Sequence, residues 1–137
     1  MTQKRLLGGV VAVNILFTLV HGAVHETIPV VIAPWQSAFV GLTIVVGPLI
    51  ALGLVAAGYD RIGLTLCALL GFSAFAFEAL FHFVMENPDH VAHVTHGAVV
   101  FEATAWLSVF GDLSLVAVVG LLAHSQSERN SPTVDSV

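Results

Sequence analysis

Four long apolar segments make up most of this chain, and they restrict its fold more than any other feature. Only 9% of its 137 residues are charged, and 57% are hydrophobic. Each segment reaches or exceeds the ~20 residues with which a helix crosses a hydrocarbon core of ~30 Å. Because backbone groups in lipid must be hydrogen-bonded within the segment, we expect helices rather than strands. The predicted transmembrane helices span about residues 6–26, 36–57, 62–86 and 91–123.

These segments predict an all-α integral membrane protein, a four-transmembrane-helix antiparallel bundle. A chain of 137 residues has room for one domain, which we place at residues 1–124. Pro48 follows Gly47 within the second segment and predicts a kink. Residues 125–137 are rich in Ser, Asn and Pro, and we expect them to form a disordered cytoplasmic tail.

The fourth helix has a second possible start, upstream of residue 91. Asn87 followed by Pro88 is typical of an N-cap with proline in the first helical position. A helix from Pro88 exceeds a single crossing, so either its first turns stand outside the bilayer or Gly97 bends it. The connection from the third helix is then very short, at residues 86–88, and it makes His82 a neighbour of the fourth helix.

The basic residues predict the orientation of the bundle. They lie before the first segment, between the second and third, and after the fourth, whereas the two remaining loops have none. By the positive-inside rule, both termini face the cytoplasm. We therefore expect a multi-pass protein of the cell membrane whose opposite end faces outside. The basic residues are Lys4, Arg5, Arg61 and Arg129.

Composition and motifs exclude several classes of partner. The net charge of −5 argues against nucleic acid, which requires a basic surface. The chain has no P-loop or Gly-rich dinucleotide turn, so no nucleotide is expected. The single cysteine, Cys67, excludes an internal disulfide and a CxxC site. Besides the lipid bilayer, the expected partners are a homo-oligomer or a larger membrane complex, since small residues of the second segment can pack against another helix.

Polar residues of the first segment share one face. Asn14, Thr18, His21 and His25 are four, three and four residues apart, which keeps them on one stripe of a helix. A polar stripe on an apolar helix should point into the bundle, because ionisable groups in lipid are costly. The i, i+4 pair of His21 and His25 can hold one metal ion from a single face. Glu26 lies about 100° away from His25, so we give it a supporting role.

The third segment repeats this pattern. Glu78, His82 and Glu86 recur every four residues and share a face. Glu78 lies about 12 Å deeper than Glu86 along the helix. A carboxylate at that depth must be neutral, paired or bound to a cation.

The fourth segment begins with histidines at three-residue intervals. His93 and His96 lie about 60° apart around a helix, and Glu102 lies about 120° from His96. All three can serve one site only if Gly97 distorts the helix or the cavity is wide. His90 is expected to be solvated.

Together these residues predict a transition-metal site. Imidazole and carboxylate ligands suit Zn, Fe or Cu, and the lack of thiolates argues against a soft Cu(I) site. The Glu-x-x-His pairs of di-iron bundles are missing. The protein could be a metal-dependent membrane enzyme, such as an oxidoreductase or hydrolase, or a metal-handling protein. The predicted ligands are His21, His25, Glu78, His82, His93 and His96, supported by Glu26, Glu86 and Glu102.

Two other interpretations remain open. Two histidines on facing helices can ligate a b-type haem, and the pattern then predicts electron transfer with ligands from His21, His25, His82 and His96. Alternatively, the chain is a non-enzymatic accessory subunit whose polar network orients helices or senses outside pH. Glu102 and Asp112 form either a proton path or, for Asp112, hydrogen bonds to nearby hydroxyls.

Overall fold

A computed structural model of the chain describes residues 3–28 and 30–130, and within these ranges it contains helices and no strands. Each of the four main helices is long and apolar enough to cross a membrane. The prediction of an all-α fold with four membrane-length helices is therefore confirmed. The helices are α1 (Gln3–Thr27), α2 (Pro34–Ala56), α3 (Asp60–Phe83) and α4 (Ala98–Asn130).

The first three helices lie within a few residues of their predicted bounds, but the fourth differs. It starts at Ala98 rather than near residue 91, and it continues to Asn130 rather than ending near residue 123. Residues 125–130 are thus helical here, and the rest of the predicted tail, residues 131–137, lies outside the described residues. The four ends of α1 and α2 each lie within three residues of the prediction.

A long connection takes the place of the short one predicted between α3 and α4. Residues 84–97 contain a single 3-10 turn, Val91–His93. Gly97 has a φ of +68°, a left-handed conformation that glycine adopts readily and that separates this turn from α4. The helix start predicted at Asn87 and Pro88 is therefore wrong.

α2 contains one widened turn. Gly41–Val46 form a π-helix, in which the N–H of Gly47 donates to the carbonyl of Leu42, five residues earlier. Pro48 follows directly and has no N–H of its own to donate. The kink predicted at Pro48 stays a prediction, and the structure shows a π-helical stretch just before the proline. Such stretches often lie at functional sites.

Two apolar cores enclose a polar layer. The larger core unites all four helices at the end where α1 begins and α4 ends, through residues such as Leu7, Val55 and Leu115. The smaller core consists of Ile28, Val94 and Phe101, and it holds the 84–97 connection against the bundle. Buried polar side chains lie between the two cores: Asn14, Thr18, His21, Glu78, His82, Thr104, Ser108 and Asp112.

Candidate metal centre

Three histidines meet where α1 faces α3. The Nε2 atom of His21 lies 3.1 Å from the Nε2 atom of His82 and 3.1 Å from that of His25. His21 and His82 are only 4% and 2% exposed, and His25 is half-buried. One ligand atom from each ring lies within 4.8 Å of the others, so the group could hold a metal ion.

The hydrogen bonds of His21 show which ring nitrogen carries its proton. Nδ1 lies 2.9 Å from the hydroxyl of Thr104. That hydroxyl lies 2.9 Å and 3.0 Å from the carbonyl oxygens of Val100 and Phe101, to which it donates its one proton. Thr104 must therefore accept from the Nδ1–H of His21. The Nε2 atom of the neutral His21 ring then presents a lone pair to its neighbours.

The ring of His82 also carries a proton on its Nδ1 atom. Its Nδ1 atom lies 3.0 Å from the main-chain oxygen of Asp89, which can only accept a hydrogen bond. Nδ1 thus carries the proton, and in the neutral ring Nε2 presents a lone pair. Metal-bound histidines almost always donate their other N–H to such a group, which fixes the ring and its tautomer.

Two buried carboxylates adjoin the three rings. Glu78 Oε2 lies 2.8 Å from His82 Nε2 but without hydrogen-bond geometry, and it has no hydrogen-bond partner among the described residues. Asp89 Oδ1 lies 3.3 Å from His25 Nε2 and is unpartnered in the same sense. A buried carboxylate oxygen without a partner is costly unless a cation or a proton compensates it.

Asp89 lies in the 84–97 connection, beyond the membrane-length helices. Burial raises the pKa of its carboxyl to about 6, while the neighbouring His82 lowers this pKa and Glu78 raises it further. The carboxyl is therefore less acidic than an ordinary aspartate. The raised pKa agrees with a site in which too little positive charge lies near the carboxylate to stabilise its ionised form.

Asn87 places Asp89 beneath the end of α3. The side-chain amide of Asn87 donates to the carbonyls of Phe81 and Met85, at 2.8 Å and 2.7 Å. Its Oδ1 atom accepts from the backbone N–H of Asp89 at 2.8 Å. Asn87 thus ends one helix instead of starting the next, and it turns the chain back toward His82.

Phe101 covers the histidines on the α4 side. Its side chain is fully buried, and its ring centroid lies 5.1 Å, 5.0 Å and 5.7 Å from those of His21, His25 and His82. An apolar wall of this kind limits water and lowers the local dielectric constant, which strengthens the interactions of a bound ion.

The structure leaves the predicted histidines of the fourth segment outside this group. His93 is exposed, and its Nε2 lies 3.0 Å from Glu86 Oε2. His96 is also exposed and lines, with His93, a separate cavity of about 160 Å³. Glu102 is exposed on the surface of α4. Of the predicted ligands, the structure brings together His21, His25, Glu78 and His82.

Asp112 occupies a separate buried position deeper in the bundle. It accepts a hydrogen bond from Asn14 Nδ2 at 3.1 Å, and its other oxygen has no partner among the described residues. Ten residues separate it from Glu102, or about 15 Å of helix. Since Glu102 is exposed, the structure does not favour a path between the two carboxylates. Asp112 is hydrogen-bonded, but its partner is the amide of Asn14 rather than one of the hydroxyls expected from the sequence.

Sequence reasoning missed Asp89, Thr104 and Phe101. Thr104 had a usable signal, because Thr104, Ser108 and Asp112 recur every four residues and form a polar stripe like that of α1. Asp89 had none, because it lies in an irregular connection where no periodicity applies.

A cavity of about 400 Å³ adjoins the histidines on the side away from Phe101. It lies between α1, α2 and α3, and Gly41 and Val45 of the π-helical stretch line it. His21, His25, Glu78, His82 and Asp89 all contribute to its wall.

Fold and site together define a class of protein: a bundle of four membrane-length helices with a buried group of three histidines and two carboxylates. Comparison of the chain with protein-family models, curated proteins and solved structures finds no match.

Proposed function

We propose that this is a multi-pass membrane protein that binds one transition-metal ion through the Nε2 atoms of His21, His25 and His82, with Glu78 as a further ligand. The observation that carries the proposal is the 3.1 Å between the Nε2 atoms of His21 and His82 in a buried site, while both Nδ1 atoms lie beside other oxygens. In the neutral rings with protonated Nδ1, both Nε2 atoms are acceptors. Two neutral acceptors at this distance repel each other. A cation between them removes that repulsion and also compensates the unpartnered Glu78 oxygen.

The spacing of the nitrogens supports an ion over a haem. At metal–nitrogen distances of ~2.0–2.1 Å, adjacent ligands of one ion lie ~2.9–3.4 Å apart, and opposite ligands lie ~4.0–4.2 Å apart. The two distances of 3.1 Å fall in the first range. Axial haem ligands belong to the second, because the iron and its porphyrin plane lie between them.

The donor set restricts the ion. Three imidazoles with a carboxylate suit Zn²⁺, Fe²⁺ or Cu²⁺ rather than Ca²⁺ or Mg²⁺, which prefer oxygen ligands. His93 and His96 are left out of the ligand set, since they lie on the surface. Asp89 takes a positioning role through its main-chain oxygen, and its carboxylate balances the charge of the ion.

We also propose that the centre lies toward the outer face of the cell membrane, with both termini in the cytoplasm. The support is the distribution of Lys4, Arg5, Arg61 and Arg129, all of which belong to the opposite end. A reporter fused after Ser125 should behave as cytoplasmic. An extracytoplasmic reporter would overturn this orientation and leave the metal proposal intact.

Metal content tests the proposal directly. The full chain is purified from membranes in detergent, equilibrated with Zn²⁺, Fe²⁺ or Cu²⁺ and freed of excess ion before elemental analysis. We expect about one ion per chain for the native protein and for His124→Ala, which alters an exposed histidine paired with Glu128. His21→Ala should lose the ion.

Two results would contradict the proposal. One is full metal content in His21→Ala. The other is native protein that folds but retains no ion under any of the three loading conditions. An absorption spectrum of protein from its native membrane would show a Soret band if a haem were the occupant instead.

A further inference from the structure

The 400 Å³ cavity beside the histidines has the size of a small-molecule site, which is commonly ~300–1,000 Å³. The proposed ligands form one wall of it. A molecule in the cavity would therefore contact the metal centre directly. The chemical class of its occupant can be inferred from the rest of the wall, and this inference rests on the proposed function.

Most of the remaining wall is apolar. Leu19, Val40, Val45 and Phe77 line the cavity, and together with Gly41 they offer no hydrogen-bonding side chain. This composition favours an occupant with an apolar body.

One polar side chain of the remaining wall, Thr18, lies deeper on α1 and donates to the Asn14 carbonyl, and the others lie at the end nearest the 84–97 connection. Glu26, Gln36 and Ser37 line the cavity there. Gln36 is 8% exposed, and its Oε1 atom accepts from the N–H of Ala33 at 2.7 Å, which fixes the amide. Its Nε2 donor makes no hydrogen bond to the described residues and is not fully enclosed by them. This free donor calls for an acceptor on the occupant.

The cavity opens sideways between α1 and α2. Its lining residues Leu19, Gly22 and Ala23 are exposed on the flank of α1. A side chain added at Gly22 or Gly41 would meet no atom within 4 Å. If these helices span a bilayer, the opening faces lipid, and the occupant enters from the membrane rather than from water.

The charge of the wall selects against an ionised head group. A divalent ion would be balanced by Glu78 and Asp89, both of which are buried. The balanced centre does not attract a free carboxylate, and the exposed Glu26 in the same wall repels one. An uncharged oxygen can accept from Gln36 or approach the ion, since metal ions polarise such oxygens.

We propose that the cavity binds a lipid-soluble molecule with an apolar body and one uncharged hydroxyl or carbonyl group, which it places against the histidine centre.

The test uses a photoreactive twelve-carbon alcohol that carries a diazirine on its chain. The metal-loaded full chain in lipid nanodiscs is irradiated with this probe, and labelled residues are mapped by mass spectrometry. We expect labelling concentrated on cavity-lining residues of α1 and α2. Unlabelled dodecanol should compete, and dodecanoate should compete at least tenfold less well.

A pair of variants on one helix separates the cavity from the lipid-facing surface. Gly41→Leu places a side chain in the cavity, whereas Gly53→Leu places one in open space elsewhere on α2. Labelling should fall at least tenfold in Gly41→Leu and stay within twofold in Gly53→Leu. Metal content should not change in either variant.

Labelling spread over the lipid-facing surface, or equal labelling in both variants, would overturn the proposal. Equal competition by dodecanoate would overturn the requirement for an uncharged head group. If Gly41→Leu fails to fold, the competition experiment on the native protein still decides the question. Failure of the metal site alone would appear as absent metal with cavity labelling retained.

Discussion

His82 and His93 have almost the same local bonding in very different surroundings. In each ring Nδ1 lies beside a main-chain carbonyl oxygen, at 3.0 Å and 2.8 Å, and Nε2 lies beside a glutamate oxygen, at 2.8 Å and 3.0 Å. The side chains of His82 and its glutamate are 2% and 3% exposed, whereas those of His93 and its glutamate are 45% and 86% exposed. Water can solvate the second pair but not the first.

The two histidines also differ in what else is close. His82 has the rings of His21 and His25 beside it, and one ligand atom of each ring lies within 4.8 Å of the others. His93 has the ring of His90 at 5.5 Å, on the exposed side of the 84–97 connection. A histidine beside a carboxylate can therefore be an ordinary surface pair. It becomes a candidate metal site when it is buried and further ligand atoms lie close to it.

The largest contrast should come from removing each histidine in turn. His82→Ala deletes a proposed ligand and removes the imidazole that lies 2.8 Å from the buried Glu78 carboxylate, which should cost about 3–5 kcal/mol of stability. His93→Ala changes an exposed position and should cost about 0.5 kcal/mol or less. Chemical unfolding in detergent, followed by circular dichroism, measures both effects. Equal losses in the two variants would remove the distinction between the two pairs.

The second contrast concerns pH in metal-free protein. The pKa of Asp89 is about 6 in the folded protein, against 3.8 as its ordinary value. Between these values the carboxyl of Asp89 binds more protons in the folded state than in the unfolded state, so the contribution of Asp89 to stability should fall as pH rises through this window. Two pKa units correspond to about 3 kcal/mol.

Asp89→Asn tests the origin of that slope. The stability of the variant relative to the native protein should rise with pH between pH 4 and 6, by up to ~1.4 kcal/mol per pH unit. At pH 7 without metal the variant should be the more stable of the two. Glu86→Gln, at an exposed carboxylate, is the control and should keep the native slope. A stability difference between the native protein and Asp89→Asn that stays constant over this window would contradict the assignment to Asp89.

The third contrast tests how His21 is held. Thr104→Val keeps the shape of the side chain and removes the acceptor for the Nδ1–H of His21. Such partners of metal ligands are typically worth 10–100-fold in metal affinity, and we expect a loss of that size. Thr43→Val is the matched control, because Thr43 donates to the Phe39 carbonyl within α2, away from the histidines. Competition with a metal chelator measures the affinities, and an unchanged affinity in Thr104→Val would rule out this tautomer of His21.

Four residues of this centre could be predicted from their spacing in the sequence. His21 and His25 are four residues apart on α1, and Glu78 and His82 are four apart on α3, so helical geometry alone puts each pair on one face. The apolar composition of the segments predicted that these helices span a membrane and that their polar faces point inward. The burial of Asn14, Thr18 and His21 agrees with this prediction.

The positions of Asp89, His93 and His96 depended on the 84–97 connection, which has no helical periodicity. Gly97 adopts a left-handed conformation, and the turn made by Asn87 ends α3, so residues 84–97 leave the helical register. The positions of His93 and His96 were predicted from a helix that does not form there. Asp89 reaches the site only because this connection folds back under α3, a long-range event that local spacing does not encode.

The smallest effect should come from the exposed pair of His93 and Glu86. Their 3.0 Å contact is surrounded by water, and exposed pairs contribute ~0–1 kcal/mol, less at high salt. Glu86→Gln should therefore leave metal content unchanged and shift stability by no more than a few tenths of a kcal/mol, with the shift vanishing in 1 M salt. Glu78→Gln, the same substitution in the buried pair, should weaken metal binding at every salt concentration, because salt screens a buried contact much less. Elemental analysis and unfolding of the two variants at low and high salt would make the comparison. If Glu86→Gln lowered metal content as much as Glu78→Gln, the exposed group would have to belong to the site, and burial would no longer distinguish the two histidines.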